Sequence, residues 1–538
     1  MIRRISGVLL ALGSVLLLSC ARRETPVEAG IRSQTLLVGN LAEPRDLDPQ
    51  VATAYTDMNI LVGLFEGLTV LDEKTSAALP GVATSWDASA DGLVWTFHLR
   101  PDARWSNGDT VISRDFAYAF RRILSPAMAA EYSYMLWPIR NAEAFNTGKI
   151  TDFSSVGVTT PDDRTLRLSL ERPTPYLPTL AAHPTWLPVP RGPIEKFGRM
   201  DQPGTRWTRP GNLVGNGPFV LAEWTPNARI VLDKNPRYWD AATVRLHRII
   251  FFPTENPDVE ERDFRAGQVH LTYDLPASKI PVYQREAPDR LRLDPLLNIW
   301  YLNFNTTKPP LDNPLVRQAL ALAVDRDAIS RNVYHGAFLP ARSFVPPDCG
   351  GYTSTAHTRT DVAEARRLLA AAGYPGGRGL PTLPVQVLNN DKLPKVAEAL
   401  QAMWKSALGV NVSIEPSEQK TWIQIQTSMN HTIGLMGWVA DFADPVTFLQ
   451  LRETGNGNNW SGWSNPTYDQ LLRTAANTVD NRARFALFQQ AESLLLAEAA
   501  ASPLVYGART YLIHPAVRNW DSAPLGLHLY KKVYLQSP

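Results

Sequence analysis

The sequence predicts an α/β protein with more than one domain, in which the strands pair at least partly in parallel. The chain has 538 residues, of which 44% are hydrophobic, so it can bury a large core and should divide into two or three domains. Strand-like alternation and helix-like spacing follow each other along the chain, which is typical of α/β units. The 43 prolines and 33 glycines are spread throughout, which indicates ordered turns and not a disordered tail.

The first half of the chain is predicted to be rich in strands. One helix is expected in SRDFAYAFRRIL, with Ser113 as its N-cap. The segments with the period-two pattern of strands are SQTLLVGN, LVWTFHLR, TLRLSLE, RIVLDK and LHRIIFFP.

A second α/β region is predicted to begin near Ile299. Asn313 is expected to cap a helix that has Pro314 in its first turn. Asp361 and Glu364 are expected to form a capping box at the start of another helix. The strand segments LPVQVLN and VNVSIEP flank the helical segment KVAEALQAMWKSAL, so this region should contain parallel pairing.

The N-terminus has the features of a lipoprotein signal peptide. Arg3 and Arg4 precede an apolar run, residues 8–18, that is too short to span a bilayer. The sequence that ends in Ser19 and Cys20 resembles a bacterial lipobox, in which cleavage before the cysteine is followed by its lipidation. We therefore expect residues 1–19 to be removed and Cys20 to carry a membrane anchor. The alternative is an ordinary secretory signal with an incidental cysteine.

Composition and motifs exclude several classes of function. Cys349 would have no partner for a disulfide within the mature chain. Without residues 1–19 the chain has 52 basic and 52 acidic residues and no long basic run, which argues against a nucleic-acid partner. No zinc-ligand spacing, phosphate-binding loop or serine-hydrolase elbow is found in the sequence. We expect no cofactor, no metal and no catalytic residue.

The stretch GWVADFADP contains two carboxylates in apolar surroundings. Asp444 is followed by Pro445 and an apolar turn, so it reads as a helix N-cap. Asp441 follows the end of a predicted buried strand, where an ionised group is costly unless a positive charge meets it. An acid/base pair for glycoside hydrolysis is an alternative interpretation of the two carboxylates.

Eight segments in order resemble the blocks of one family, the extracytoplasmic solute-binding proteins of peptide ABC importers. The likeness runs from about residue 36 to about residue 500. The segments are EPRDLDP, LFEGL, LPGVATSWDASADGLVWTFHLR, ARWSNGD, NGPFVLAEW, KNPRYWD, NTTKPPLDNPLVRQALALAVDRDAI and GWVADFADP.

The resemblance implies a periplasmic-binding-protein type II-like fold, with two main lobes, a hinge and an inserted domain. Lobe I would comprise residues 20–65, 191–295 and 509–538. Lobe II would be the insertion, residues 66–190, and lobe III would be residues 296–508. Ligand would lie between lobes that close around it.

The resemblance also implies a set of binding residues. Asp441 would meet the N-terminal ammonium of a peptide, which would supply the missing positive charge. The peptide main chain would bond to backbone of Gly437, Trp438, Val439 and Ala440 on one side, and of Thr53, Ala54 and Tyr55 on the other. Trp438 and one of two tyrosines, Tyr132 or Tyr134, would be walls of side-chain pockets.

Two positions depart from the family pattern. Leu435 stands where well-known oligopeptide binders have an arginine that meets the peptide carboxylate. Gln419 stands where they have a pocket tryptophan. The ligand could therefore be a longer peptide, a cell-wall peptide or a modified solute with an amine, or Leu435 could be an ordinary strand leucine.

From these residues we expect a receptor that has no catalysis of its own. It would be a monomer, anchored to the membrane at Cys20 on the extracytoplasmic face, and it would deliver peptides to an ABC permease and its ATPase subunits. The alternatives are a binder of a non-peptide solute such as a metal chelate or an opine-like compound, a secreted hydrolase that uses carboxylates, and a chaperone or signalling partner.

Overall fold

The computed structural model describes residues 24–537 of the chain. Cys20 and the predicted signal peptide lie outside the described residues. The strands, in chain order, are β1 (Thr35–Gly39), β2 (Thr69–Leu71), β3 (Ala78–Pro80), β4 (Ala83–Ala88), β5 (Val94–Leu99), β6 (Val158–Asp162), β7 (Thr165–Ser169), β8 (Phe219–Thr225), β9 (Arg229–Lys234), β10 (Arg248–Phe252), β11 (Leu291–Phe304), β12 (Leu339–Pro340), β13 (Leu383–Leu388), β14 (Val412–Ser417), β15 (Ile433–Val439), β16 (Ala501–Leu512), β17 (Val517–Arg518) and β18 (Tyr534–Leu535).

The helices alternate with these strands most regularly in the second half of the chain. They are α1 (Pro26–Ser33), α2 (Tyr55–Leu64), α3 (Ser113–Leu124), α4 (Ala142–Asn146), α5 (Leu177–Leu180), α6 (Arg191–Phe197), α7 (Pro257–Arg265), α8 (Ile280–Glu286), α9 (Pro314–Leu322), α10 (Arg326–Val333), α11 (Val362–Ala371), α12 (Leu393–Leu408), α13 (Gln419–Thr427), α14 (Val446–Leu449), α15 (Pro466–Ala476) and α16 (Asn481–Ala497). None of those in the described part of the chain has the length and apolarity needed to cross a bilayer.

Three sheets contain most of the strands. One four-stranded sheet has the order β1-β10-β9-β8, with β1 parallel to β10. A second has the order β4-β5-β7-β6 and is antiparallel throughout. The largest has the order β12-β16-β11-β15-β13-β14, and β13 is parallel to both of its neighbours. The prediction of a mixed α/β fold with partly parallel pairing is confirmed.

Strands β11 and β16 are the longest and lie side by side in the largest sheet. Their register shifts between Pro295 and Ile299, where the ladder is interrupted. Beyond this break the end of β16 approaches the first sheet, because Leu271 bridges both to Val38 of β1 and to Ile513. The predicted lobe boundaries at 295/296 and 508/509 fall inside these two strands, so lobes I and III would be joined by a strand pair. The division into three lobes stays a prediction.

The six-stranded sheet is covered by a different apolar cluster on each face. Leu435 of β15 packs with Leu302 in one cluster, whereas Met436 packs with Tyr301 in the other. Neighbouring residues of a strand point to opposite faces, which explains this division. A third cluster joins the two four-stranded sheets and includes Phe442, which follows Asp441.

Helix starts show where local sequence was sufficient and where it was not. The side chains of Asn313 and Asp361 accept backbone N–H groups at the starts of α9 and α11, so both predicted N-caps are present. The capping box predicted for Asp361 and Glu364 is only half formed, because the Asp361 N–H donates to the Leu322 carbonyl and the Glu364 carboxylate accepts from Arg367. The prediction for Ser113 is wrong, because α3 begins at Ser113 and its hydroxyl donates to the Asp162 carbonyl. Instead, the carboxylate of Asp115 accepts the backbone N–H of the residue before the helix, 2.9 Å away.

Candidate functional site

Asp441 lies just after β15, in the wall of a small cavity of about 40 Å³. The backbone that leads to Asp441 is held in place by the pairing of β15 with β11. The cavity brings together five residues predicted from the sequence: Thr53, Tyr55, Tyr132, Ala440 and Asp441. They come from three distant parts of the chain, so the fold assembles the site.

The carboxylate of Asp441 has no positive partner among residues 24–537. Its hydrogen bond comes from the Tyr134 hydroxyl, which donates to Oδ2 over 3.2 Å. Burial raises the pKa of Asp441 to about 6, and the bond from Tyr134 opposes that rise. Placing a cation beside this carboxylate would stabilise its ionised form.

Asp444, three residues along, is already neutralised by the chain. The guanidinium of Arg484 on α16 bonds to both oxygens of Asp444, at 2.5 and 2.8 Å, and both side chains are buried. The same carboxylate accepts the backbone N–H of Val446 at 3.0 Å, so the predicted capping role is present. However, α14 begins at Val446, one residue later than predicted. Glycoside hydrolysis by Asp441 and Asp444 would need two free carboxylates, and Asp444 is already paired with Arg484.

Aromatic residues surround Asp441 and hold neutral hydrogen-bond donors near it. The rings of Tyr132 and Tyr134 lie 5.7 Å apart, and Tyr132 also contacts the His183 ring. Burial and the charge of Asp441 raise the pKa of Tyr132 to about 12. Burial lowers the pKa of His183 to about 3, so its ring is neutral. Among the described residues that line the site, Asp441 is the one carboxylate, and none is a lysine or an arginine.

Within residues 24–537, the edge of β15 that faces away from β11 is unpaired beyond Gly434. Strand β13 pairs with β15 only at Ile433 and Gly434. The N–H of Ala440 points toward β11, where it donates to Leu297. Because the backbone groups of successive strand residues point to alternate edges, those of Gly437 and Val439 point away from β11. An extended chain could pair with this edge.

The close approach of Trp300 explains the glycine in this edge. A Cβ on residue 437 would lie only 3.0 Å from the Trp300 ring on the neighbouring strand β11. That separation is shorter than ordinary carbon contacts, so a larger residue would require the Trp300 ring to shift by a few tenths of an ångström.

The remaining predicted site residues lie outside the cavity wall. Ala54 precedes α2, and Trp438 is half-buried and near the Thr447 hydroxyl, 3.5 Å away. Leu435 is 1% exposed and lies in the core on the opposite face of the sheet from Met436. Gln419 is exposed at the start of α13. The binding roles of these four residues stay predictions.

Seven cavity residues were not predicted from the sequence. They are Met58, Leu71, Thr179, Ala182, His183, Leu525 and Leu527. Most are ordinary apolar or small residues from loops and helix interiors, and no local pattern distinguishes them from core residues. Within residues 24–537 no group of three or more histidine, cysteine or acidic side chains could hold a metal ion.

Comparisons with known proteins agree on one family. The model of the bacterial extracellular solute-binding proteins, family 5, matches residues 77–460. The periplasmic oligopeptide-binding protein of Salmonella typhimurium is 33% identical over 98% of this chain and 97% of its own length. A probable deoxycholate-binding periplasmic protein of Escherichia coli is 35% identical over 94% of both chains.

Solved structures show the same fold. The unliganded open form of a periplasmic murein tripeptide-binding protein superposes with a TM-score of 0.82, at 31% identity, over 94% of this chain and 97% of that one. This likeness confirms the type II-like, multi-lobe α/β fold. The chain therefore belongs to family 5 of the bacterial extracellular solute-binding proteins.

Proposed function

We propose that the protein is a peptide receptor that binds the N-terminal ammonium of its ligand at Asp441 and delivers the peptide to an ABC permease. The observation that carries this proposal is the carboxylate of Asp441, which faces a cavity and has no cation among residues 24–537. Such a group is costly in the unliganded protein, and a ligand amine would offset the cost through a charge-assisted hydrogen bond.

The main chain of the ligand would lie along the free edge of β15. Gly437 and Val439 offer backbone groups that face this edge, and Thr53 and Tyr55 face the cavity from the other side. Bonds to a peptide backbone are independent of the ligand's side chains, so the receptor would accept peptides of varied sequence. Water in side-chain pockets would adapt the remaining contacts.

Calorimetric titration with a short peptide and its N-acetylated form tests the proposal. The free peptide should bind, whereas the acetylated peptide should bind at least about thirtyfold more weakly, since it cannot form the ion pair. Equal binding of the two forms would contradict the proposed role of Asp441.

Binding should also depend on pH in a defined direction. The pKa of Asp441 is about 6 without ligand, and an ammonium would lower it, so binding releases a proton below that pH. Affinity should therefore be nearly constant around pH 7, begin to fall near pH 6, and fall toward tenfold per unit well below pH 6. A peptide amine loses its proton near pH 8, which sets the alkaline limit. Titrations across this range that show constant affinity down to about pH 4.5 would contradict the prediction.

A cell-wall peptide is the second candidate ligand. The solved structure with the TM-score of 0.82 is a murein tripeptide-binding protein. The buried position of Leu435 leaves no arginine there for a ligand carboxylate, as the sequence suggested. Including a murein tripeptide in the titrations would separate the two: if only that peptide binds, the ligand class is cell-wall peptides.

The proposed receptor acts as a monomer tethered to the outer face of a membrane through lipid on Cys20. The support is the lipobox-like sequence that ends at this residue. The full-length protein should fractionate with membranes, and the Cys20→Ser variant should be soluble in the extracytoplasmic compartment. If both proteins fractionate alike, the anchor is not at Cys20.

A further inference from the structure

The stretch of chain between Cys20 and the folded protein is short. The described residues begin at Glu24, four residues after Cys20. An extended chain spans at most about 3.6 Å per residue, so Glu24 lies within about 14 Å of Cys20. Any group attached to Cys20 is therefore held close to the protein surface beside Glu24.

The helix that follows is fixed at its start. Helix α1 begins at Pro26, and Thr25 before it forms a capping box with Glu28. The Thr25 hydroxyl accepts the Glu28 N–H, 3.2 Å away, and the Glu28 carboxylate accepts the Thr25 N–H, 2.8 Å away. The N–H of buried Val27 donates to the Gly267 carbonyl over 3.0 Å. These bonds tie the start of α1 to the loop that follows α7.

The end of α1 is fixed as well. The side-chain amide of Gln34 donates to the Leu535 carbonyl at 2.7 Å and accepts the Leu535 N–H at 3.1 Å. Strand β1 starts at the next residue, Thr35, and pairs with β10. Because both ends of the helix are bonded to predicted lobe I, α1 cannot act as a swinging arm that lengthens the tether.

The thickness of a bilayer shows what a tether of this length allows. Headgroups add about 5 to 8 Å on each side of the hydrocarbon core, and acyl chains on Cys20 would hold this residue at the edge of that core. At most about 9 Å then separates Glu24 from the headgroup layer. That gap is narrower than one helix with its side chains, which is about 10 to 12 Å wide. No further layer of protein would fit between the bilayer and the start of α1.

The residues at this end of the protein suit lipid headgroups. Arg22 and Arg23 place two positive charges in the tether itself, where anionic headgroups would attract them. The carboxylate of Glu24 is paired with Arg32. A recess in the adjoining surface is bounded by polar or compact residues, which are Glu24, Thr25, Pro26, Ala29 and the exposed Gln268. Such a surface suits the headgroup layer and not the hydrocarbon core.

We propose that the start of α1 and the adjoining surface at Gln268 rest against the phospholipid headgroups, so that this end of lobe I faces the bilayer. This inference rests on the proposed lipid anchor at Cys20 and goes beyond it. An anchor on a long tether would leave the receptor free to turn and to stand away from the membrane, whereas this tether restricts both movements.

Fluorescence quenching in vesicles tests the orientation. Gln268→Cys and Gln490→Cys each receive a fluorophore, and Gln490 is the matched control because it is an exposed glutamine on α16, which packs on the largest sheet. Cys349 is buried and Cys20 would carry the lipid, so neither competes for the label. The lipidated full-length variants are placed in vesicles of phosphatidylethanolamine and phosphatidylglycerol that include lipids with nitroxide headgroups.

The probe at position 268 should lose at least about half of its emission, and the probe at position 490 less than about a tenth, because the short tether brings only the first close to the headgroups. An insertion of about twenty glycine and serine residues between Arg23 and Glu24 gives a flexible tether with a span of about 24 to 29 Å. Quenching at position 268 should then fall at least about twofold.

The outcomes separate the orientation from the anchor. Equal quenching at the two positions, or quenching at position 268 that the insertion leaves unchanged, would overturn the inference while the anchor stands. The vesicles should not retain Cys20→Ser. Retention of that variant as strong as that of the wild type would overturn the proposed anchor and the inference with it.

Discussion

Replacing Asp441 with alanine is expected to weaken peptide binding by about 2 kcal/mol or more, which is roughly thirtyfold in the dissociation constant. The reason is that the ligand ammonium would enter a partly buried site and lose water without gaining a carboxylate. Tyr134 would remain, but a neutral hydroxyl cannot replace the charge. Calorimetric titration of both proteins with the same peptide measures the effect.

Measurements of stability distinguish a loss of peptide binding from misfolding of the variant. The pKa of Asp441 is raised in the folded protein, so the ionised carboxylate destabilises the unliganded fold as pH rises from about 4 to about 6. Asp441→Asn removes that charge, so this variant should melt no lower than the wild type at neutral pH. It should nevertheless bind the peptide as weakly as Asp441→Ala does. The control is Asp87→Ala, because Asp87 on β4 is 76% exposed. Wild-type affinity in Asp441→Asn would contradict the proposal.

The second large effect concerns the neighbouring carboxylate. Arg484→Met is expected to reduce the free energy of unfolding by about 3 to 5 kcal/mol, because it leaves Asp444 buried without its partner. The substitution also removes two contacts between the guanidinium and aromatic rings. The Arg484 guanidinium lies 4.8 Å from the centre of the Phe488 ring and 5.1 Å from the centre of the Tyr176 ring. Urea denaturation followed by tryptophan fluorescence measures the change.

Arg482→Met is the matched control for this prediction. Arg482 lies on the same helix, two residues earlier, and its side chain is exposed. Surface substitutions of this kind usually change stability by less than about 0.5 kcal/mol. If the two variants are equally stable, the buried pair does not carry the stabilisation assigned to it.

The contrast between Asp441 and Asp444 was only partly predictable. Local sequence placed Asp441 at the end of an apolar strand and indicated that its charge needed a partner. It also predicted a capping role for Asp444, whose carboxylate accepts the backbone N–H of Val446 at the start of α14. It could not reveal that Arg484, forty residues later, neutralises Asp444, because the contact between α16 and this loop is made by the tertiary structure and leaves no local pattern.

The same limit applies to the cavity wall. Thr53, Tyr55 and Tyr132 were found through family resemblance, whereas Leu525 and Leu527 look like any apolar residues near a chain end. Leu435 could have been assigned by strand periodicity alone, since it alternates with Met436 and Gly434 and shares a face with buried Ile433. Ser113 shows a different limit, in that a residue with strong capping preference instead bonds to a distant carbonyl.

The central claim is that the cation missing beside Asp441 belongs to the ligand. A crystal structure of the protein with a bound peptide tests it most directly. The account predicts the peptide's terminal nitrogen about 2.7 to 2.9 Å from an Asp441 oxygen. A structure in which a lysine or arginine of the protein occupies that carboxylate, or in which the peptide amine lies elsewhere, would contradict it.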